Sequence, residues 1–420
     1  MIGETGIGLE ERIERGEDFD LTGGSPCVKI DFTAHMFNSF PTFQRDHLQN
    51  LARQAAGRPG LEIDDFSIDR LAGGTGEGSQ GIFRVSGSGN DRGEMVDWSL
   101  ILKILVPPGD LSARAVHFPD GFAYWKREAE ALASGLLEHL TPGLSAPICY
   151  AVSDQPDGSV WLWMENVKNV QEAWTLTHYV ETARLLGRWQ AQYLVGKPLP
   201  QGGWLTPSGW NRDFVEENAL TMELLKRSQE KPWVRYAYPE DKLREILWAW
   251  DEREVFYQVL ENLPQVFCHR DVFGRNLMDR QGETVLIDWA YAGIGAVGEE
   301  LTPLVQATYL WHEVEEGTFK ELEDGIFSGY LEGLREVGWR GDAALVRLGY
   351  AASSALRYTI GTIRFGFLSL LDENTSPDSP DALTQESRKS IDFWTETMRR
   401  YIFPLAREAY HLAKGIIGDM

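Results

Sequence analysis

Apolar positions fall into two regimes along the chain. From Leu61 to Asn166 they alternate in short runs, and beyond about Lys168 they recur every three to four residues. Period-two alternation puts every second side chain on one face of a strand, whereas recurrence near 3.6 marks the buried stripe of a helix. Residues 61–71 (LEIDDFSIDRL) read as a first strand, with the glycine-rich GGTGEGSQG after it. IFRVSG reads as a second strand with SGNDRG as its turn, and MVDWSLILKILV as a third, ended by Pro107-Pro108, which cannot extend a ladder. A helical pattern from Phe122 to His139 stops at Pro142-Gly143. Two more strands, ICYAVSD and SVWLWMEN, flank the turn Gln155-Pro156-Asp157-Gly158. Ahead of the first strand, Phe43, Leu48, Leu51 and Ala55 recur at helical spacing between Pro41 and Arg58, while residues 1 to about 38 carry no sustained period and read as an arm.

Past Lys168, the stretches Tyr179 to Val195, Phe214 to Lys226, Asp241 to Leu260, Leu301 to Val314, Phe319 to Glu336, Asp342 to Leu371 and Leu383 to Lys414 are helical in period. Asp372 to Asp381 (DENTSPDSPD) is a polar loop, and one β-like island, Gln265 to Ala290, interrupts the helices. There is no internal repeat. The order predicts an α+β chain of two lobes: an arm and helix over 1–58, a small lobe over 59–167 with one helix on a mostly antiparallel sheet, and a mainly helical lobe over 168–420.

Composition narrows the class. A chain of 420 residues exceeds one typical core, and 15 Trp, 14 Tyr and 19 Phe belong to a packed globular protein. No apolar run approaches the roughly 20 residues of a membrane helix. The start holds Glu4, Glu10, Glu11, Glu14, Glu17, Asp18 and Asp20, the opposite of a basic targeting segment, so a cytoplasmic protein is expected. Cys27, Cys149 and Cys268 form no CxxC pair and read as free thiols. A formal net charge of −23 argues against a nucleic-acid partner and fits a cationic or neutral small molecule.

The candidate chemistry lies in the β-like island. Val266-Phe267-Cys268-His269-Arg270-Asp271-Val272-Phe273-Gly274-Arg275-Asn276-Leu277 is followed by Thr284-Val285-Leu286-Ile287-Asp288-Trp289. Apolar runs bracket Asp271, Asn276 and Asp288, and carboxylates in such a setting need a partner, for which a metal ion is a natural choice. Phosphoryl transfer calls for this set: one carboxylate to take the proton of an attacking hydroxyl, and a second carboxylate with an amide to hold metal against phosphates.

The pattern His-x-Asp-x-x-x-x-Asn, then Ile-Asp-Trp, resembles the catalytic and metal-binding loops of the aminoglycoside phosphotransferase family, small-molecule kinases of the protein-kinase-like fold. The resemblance implies Asp271 as catalytic base, Asn276 and Asp288 as magnesium ligands, and His269 as a brace for the loop. That family usually has Gly where this chain has Arg270, as protein kinases do, whereas Asp288-Trp289-Ala290 sides with the small-molecule kinases rather than with Asp-Phe-Gly.

Upstream, Gly76-Glu77-Gly78-Ser79-Gln80-Gly81 is a GxGxxG followed by a strand, which suits a hairpin laid over phosphates and not a dinucleotide-binding turn. Lys103, inside Leu100-Ile101-Leu102-Lys103-Ile104-Leu105, matches the family's phosphate-binding lysine; its partner is Glu128 or Glu130, on different faces of one helix. Glu165 and Asn166, closing the last small-lobe strand, match the hinge whose backbone meets the nucleotide base. Glu299 and Glu300 are placed to cap the next helix. Trp204, Trp210, Trp233, Trp248 and Trp250 read as core or as an aromatic wall, and an interior Arg357 or Arg364, beside Phe365, as a partner for a nearby acid. The resemblance implies a phosphotransferase using ATP or GTP with Mg2+ on a hydroxyl of a small molecule such as an aminoglycoside, sugar or amino alcohol. A Ser/Thr peptide kinase and an inactive kinase-fold binding protein are the alternatives.

Overall fold

The computed structural model describes residues 45–72, 78–108, 119, 121–122, 124–169, 174–363 and 385–418. The 1–38 arm, Cys27, Gly76, Arg364, Phe365 and the loop 372–381 lie outside the described residues. Helix α1 (Arg45–Ala56) precedes strands β1 (Glu62–Arg70), β2 (Ser79–Asp91) and β3 (Glu94–Leu105). Helix α2 (Arg127–Ala133), then β4 (Leu144–Ser145), β5 (Cys149–Asp154) and β6 (Val160–Glu165), complete the small lobe. Strands β1, β2, β3, β5 and β6 form an antiparallel sheet ordered β1-β2-β3-β6-β5, while β4 pairs in parallel with residues 284 and 285.

One face of this sheet is oily. Phe83, Val85, Trp98, Leu100, Leu102 and Trp163 meet Leu48, Leu51 and Ala52 of α1. Helix α1 is also tied to β1 by polar side chains: Gln49 accepts from the Ile63 N–H and donates to the Leu61 carbonyl, and Arg45 donates to the Ile63 carbonyl. The helix therefore packs with the small lobe, which carries a helix on each side of its sheet rather than one alone. The turn expected over SGNDRG is narrower than that segment. Strand β2 continues to Asp91, and the reversal is two residues, Arg92 and Gly93, both with positive φ, as tight hairpins require. Gly87 and Gly89 are strand glycines because β1 crowds them: a Cβ on either would lie 2.2 Å from a β1 carbonyl oxygen. The helix expected over 122–139 is shorter, since Gly135, at φ 75°, ends it.

The large lobe is built on α3 (Leu176–Leu194) and its neighbours α4 (Trp210–Glu216), α5 (Ala219–Ser228), α6 (Pro232–Ala237), α7 (Glu240–Asp251) and α8 (Arg253–Asn262). Four short strands follow: β7 (Gln265–Cys268), β8 (Leu277–Arg280), β9 (Glu283–Leu286) and β10 (Gly293–Ala296). Then come α9 (Thr308–Leu310), α10 (Phe319–Glu336), α11 (Ala343–Ser354), α12 (Gln385–Thr397) and α13 (Phe403–Gly418), with π-helical stretches at 303–307, 355–361 and 398–402. Periodic segments 214–226 and 241–260 each break into two helices. Among the described residues no helix is long and apolar enough to cross a membrane, Cys268 is a buried free thiol and Cys149 a half-buried one.

Helices α3 and α10 form the axis of this lobe because glycines let their backbones touch. A Cβ at Gly187 would stand 2.3 Å from the Tyr330 carbonyl oxygen, and one at Gly333 2.0 Å from that of Arg184. Gly187→Ala is expected to lower unfolding stability by about 1–3 kcal/mol through overpacking, read by urea denaturation; an unchanged midpoint would contradict the close approach.

Candidate active site

Strand β7 pairs antiparallel with β10, and the chain between them passes through the polar residues of interest. After β7 come His269, Arg270 and Asp271; a single 3-10 turn, Gly274–Asn276, then leads into the β8–β9 hairpin, and Asp288 follows β9. His269 and Arg270 are fully buried, so the backbone of this loop finds its partners in protein. The Asp271 N–H donates to His269 Nδ1 (3.1 Å), which leaves Nε2 to donate to the Ile287 carbonyl (3.0 Å). Burial pushes the His269 imidazole down to about 4. It is a neutral strut between the two acidic loops.

Glu300 does more than cap a helix. Its side chain turns back, and its two oxygens accept the backbone N–H groups of His269 and Arg270, each at 2.7 Å. Glu299 accepts from Arg270 Nε at 2.9 Å and from the Ala296 N–H. Both glutamates are fully buried, and burial pushes the Glu300 carboxyl up to about 7 despite its two N–H partners. The expectation of helix capping is corrected: the acids brace the loop, because its buried N–H groups outcompete a helix start for acceptors.

Arg270 occupies the left-handed region, φ 69°, which explains why glycine suits this place. Arginine is held there by Glu299, Thr206 Oγ1 and the Ile294 carbonyl. Asp288 is also left-handed, φ 63°. Two non-glycine residues in strained backbone, both next to acidic side chains, mark a site that its surroundings over-determine.

Lys103 joins the lobes. Its ammonium lies 2.5 Å from Glu128 Oε2 and 3.1 Å from Asp288 Oδ1, at 6% exposure. Burial alone would lower it, but Asp288 and Glu128 outweigh that and hold it above the ordinary lysine range. Glu130 instead accepts from the Tyr124 hydroxyl (2.5 Å), so Glu128 is the partner. Asn276 Nδ2 donates to both the carbonyl and Oδ2 of Asp271, at 2.9 Å each. Burial, then repulsion from Asp288, pushes the Asp271 carboxyl up to about 7 against the pull of Arg357. Burial opposes ionisation of Asp288 too, yet Lys103 holds that carboxyl below the usual range. One acid poised near neutrality beside one kept ionised is the division that acid–base and cation-holding roles need.

The donor set fits a hard cation. Both N–H groups of the Asn276 amide are spent on Asp271, so its Oδ1 remains as an oxygen donor, and Asp288 keeps Oδ2 beyond its contact with Lys103. Carboxylate and amide oxygens suit Mg2+, whereas thiolate or imidazole would be needed for a zinc-type centre. Among the described residues no cluster of three or more His, Cys, Asp and Glu side chains forms a metal cage by itself.

Gly78, Ser79 and Gly81 run from the glycine loop into β2; the Gly78 carbonyl accepts from the Val106 N–H, and among the described residues Ser79 Oγ is buried without a partner. At the hinge, the Glu165 N–H is already donated to the Ile148 carbonyl (2.8 Å), and its carboxylate accepts from Arg280 Nη1 (2.6 Å). Among the described residues the Asn166 N–H donates to no acceptor, while its side chain donates to Ser99. A cavity of about 980 Å³ opens beside these residues, under Ser67, Ser86 and Ser99. Trp204, Trp210, Trp233 and Trp250 are buried, so no open aromatic wall forms from them. Sequence reading passed over Arg127, whose buried guanidinium gathers carbonyls from both lobes, Phe122, Trp204 and Ala290 among them. Its neighbour Glu128 was the only signal.

The model of the phosphotransferase enzyme family matches residues 90–341. No curated protein sequence matches. Among solved structures, the chain is similar to choline kinase from Cryptosporidium parvum Iowa II, at 15% identity and TM-score 0.51, over 87% of this chain and 100% of that one. It is also similar to the amicoumacin kinase hAmiN in complex with AMP-PNP, Ca2+ and Ami (15% identity, TM-score 0.49, 86% and 95% covered). A microcompartment-associated aminopropanol kinase gives 15% identity and TM-score 0.47, over 85% and 98%. The choline kinase likeness shows a shared fold: the small antiparallel sheet over a helical lobe is the protein-kinase-like α+β architecture.

Replacing Glu300 tests the brace. Glu300→Ala strands two buried N–H groups and should cost about 2–6 kcal/mol of stability, at 1–3 each, while Glu300→Gln recovers part through its remaining oxygen. Urea melts showing Ala and Gln equal to wild type would contradict it.

Proposed function

Because this chain belongs to the phosphotransferase enzyme family, we propose that it moves the γ-phosphoryl group of ATP or GTP to a hydroxyl of a small molecule. The observation that carries this reading is the shared cleft: Lys103 touches Glu128 and Asp288 while Asn276 grips Asp271.

In this reading Lys103 and the loop through Gly78, Ser79 and Gly81 hold the triphosphate, with Gly76 as the loop's further member. Glu128 keeps Lys103 charged and aimed. The Asn166 backbone meets the base; Glu165, its N–H already used, serves by pinning the hinge to the large lobe through Arg280. Asp288 and Asn276 hold Mg2+, which when bound offsets the charge of the phosphate oxygens. Asp271 takes the proton of the acceptor hydroxyl as its oxygen bonds to phosphorus and the nucleoside diphosphate leaves. His269, Glu299 and Glu300 fix the loop that aims Asp271.

Asp271→Asn is expected to reduce kcat about 10²- to 10⁴-fold, the worth of a positioned base, with nucleotide affinity retained; a loss under about tenfold would overturn its role. The pH dependence carries a sign. Asp271 works as the carboxylate, and burial raises it to about 7. The free-enzyme profile, kcat/KM for the nucleotide, should therefore fall about tenfold per unit below that pH and level off above it. A profile flat across that range counts against the assignment.

A further inference from the structure

Three buried arginines surround the loop that carries Asp271, and their donors are filled differently. Arg270 is paired with Glu299 at 2.9 Å. Arg127 has no carboxylate partner among the described residues, but its N–H groups are spent on the carbonyls of Trp204, Phe122, Ala290, Pro119 and Gly121. Arg357 is the exception. It is 8% exposed, its Nη1 donates to the Arg270 carbonyl at 2.7 Å, and among the described residues its other N–H groups meet no acceptor; no acid lies within ion-pair reach, and Asp271 is the carboxylate that feels its charge from further off.

A guanidinium with most of its side chain out of water and N–H groups unspent favours an anion on them. Its position says where that anion would come from. The carbonyl it holds belongs to the residue before Asp271, its plane rests over the Trp210 ring at 4.9 Å, and Tyr358 lies beside it. Arg357 stands in the π-helical stretch Ala355–Gly361, whose extra residue per turn re-aims side chains and recurs at functional sites. Trp210 and the Arg270 carbonyl together fix the guanidinium, leaving the rest of its fork for a planar or tetrahedral oxyanion. The chain's large negative charge, which favours cations at a distance, is reversed here at the scale of one side chain.

We propose that Arg357 binds an anionic group of the acceptor, so that the substrate is a hydroxyl compound bearing a carboxylate or phosphate a few bonds from the hydroxyl phosphorylated. The proposal rests on Asp271 as the base that receives that hydroxyl's proton. Carboxylate and phosphate share the recognition chemistry, and polycations such as aminoglycosides do not.

The test uses the full chain with Mg2+ and ATP, against matched acceptors: a sugar acid, its neutral amide, a sugar phosphate, the free sugar and a cationic amino alcohol. The expected kcat/KM for at least one anionic acceptor exceeds that of its neutral partner by about 10- to 100-fold, the worth of a charged hydrogen-bonded contact. Which anion prevails distinguishes carboxylate from phosphate. Arg357→Met should abolish the preference by raising the acceptor KM, with the nucleotide KM at its wild-type value, and Arg357→Lys should restore part of it. Preference for the cationic amino alcohol, or for neutral acceptors, overturns the proposal. So does an Arg357→Met variant that loses turnover on all acceptors alike. Should that variant not fold, as seen in a thermal melt, the wild-type acceptor ranking decides alone. Failure of the underlying reading looks different: transfer would survive Asp271→Asn whatever the acceptor.

Discussion

A loop that carries polar chemistry through a dry interior must satisfy its own backbone, and here one carboxylate does most of it. Glu300, without solvent contact, receives the N–H groups of both residues ahead of Asp271. An orphaned buried N–H is costly enough that this arrangement has few alternatives. The rest of the site follows from it. Arg270 is forced to a left-handed backbone, its side chain is thrown toward Glu299 and Thr206, and Asp271 is presented outward where Asn276 can hold it.

The second consequence is electrical. Lys103, reaching down from the sheet, is placed between an acid of its own lobe and one of the other. Two acidic side chains close enough to repel cannot both be equally ionised, and the ammonium decides which one is. Asp288 is kept charged by Lys103, whereas Asp271, more weakly served, is left near neutrality. In the proposed function, the division of labour between cation holder and base comes from which acid the lysine touches.

Much of this was legible in the residues. Alternation and glycine placement gave the strands, and the spacing from His269 to Asn276 with the later Asp288 marked the site, because those polar side chains interrupt apolar runs that nothing else explains. What could not be read was long-range satisfaction. Nothing near Glu300 in the chain announces two N–H groups some 30 positions away, nor does Arg127 reveal that its donors meet both lobes. Tertiary contact also overrode local pattern: SGNDRG carries turn residues, yet only Arg92 and Gly93 turn, and β1 holds Gly89 in a strand. The pairing of Lys103 with Glu128 rather than Glu130 was decided by which helix face meets the sheet, a matter of three-dimensional packing.

The central claim is that Lys103, Asp271, Asn276 and Asp288 form one phosphate-handling centre. The most direct measurement is a crystal structure with a non-hydrolysable triphosphate and Mg2+. The account predicts metal on the oxygens of Asp288 and Asn276, Lys103 on a phosphate, and the Asp271 carboxylate facing the terminal phosphate across an open acceptor space. A triphosphate bound elsewhere, or bound here with those four side chains turned away from it, would contradict it.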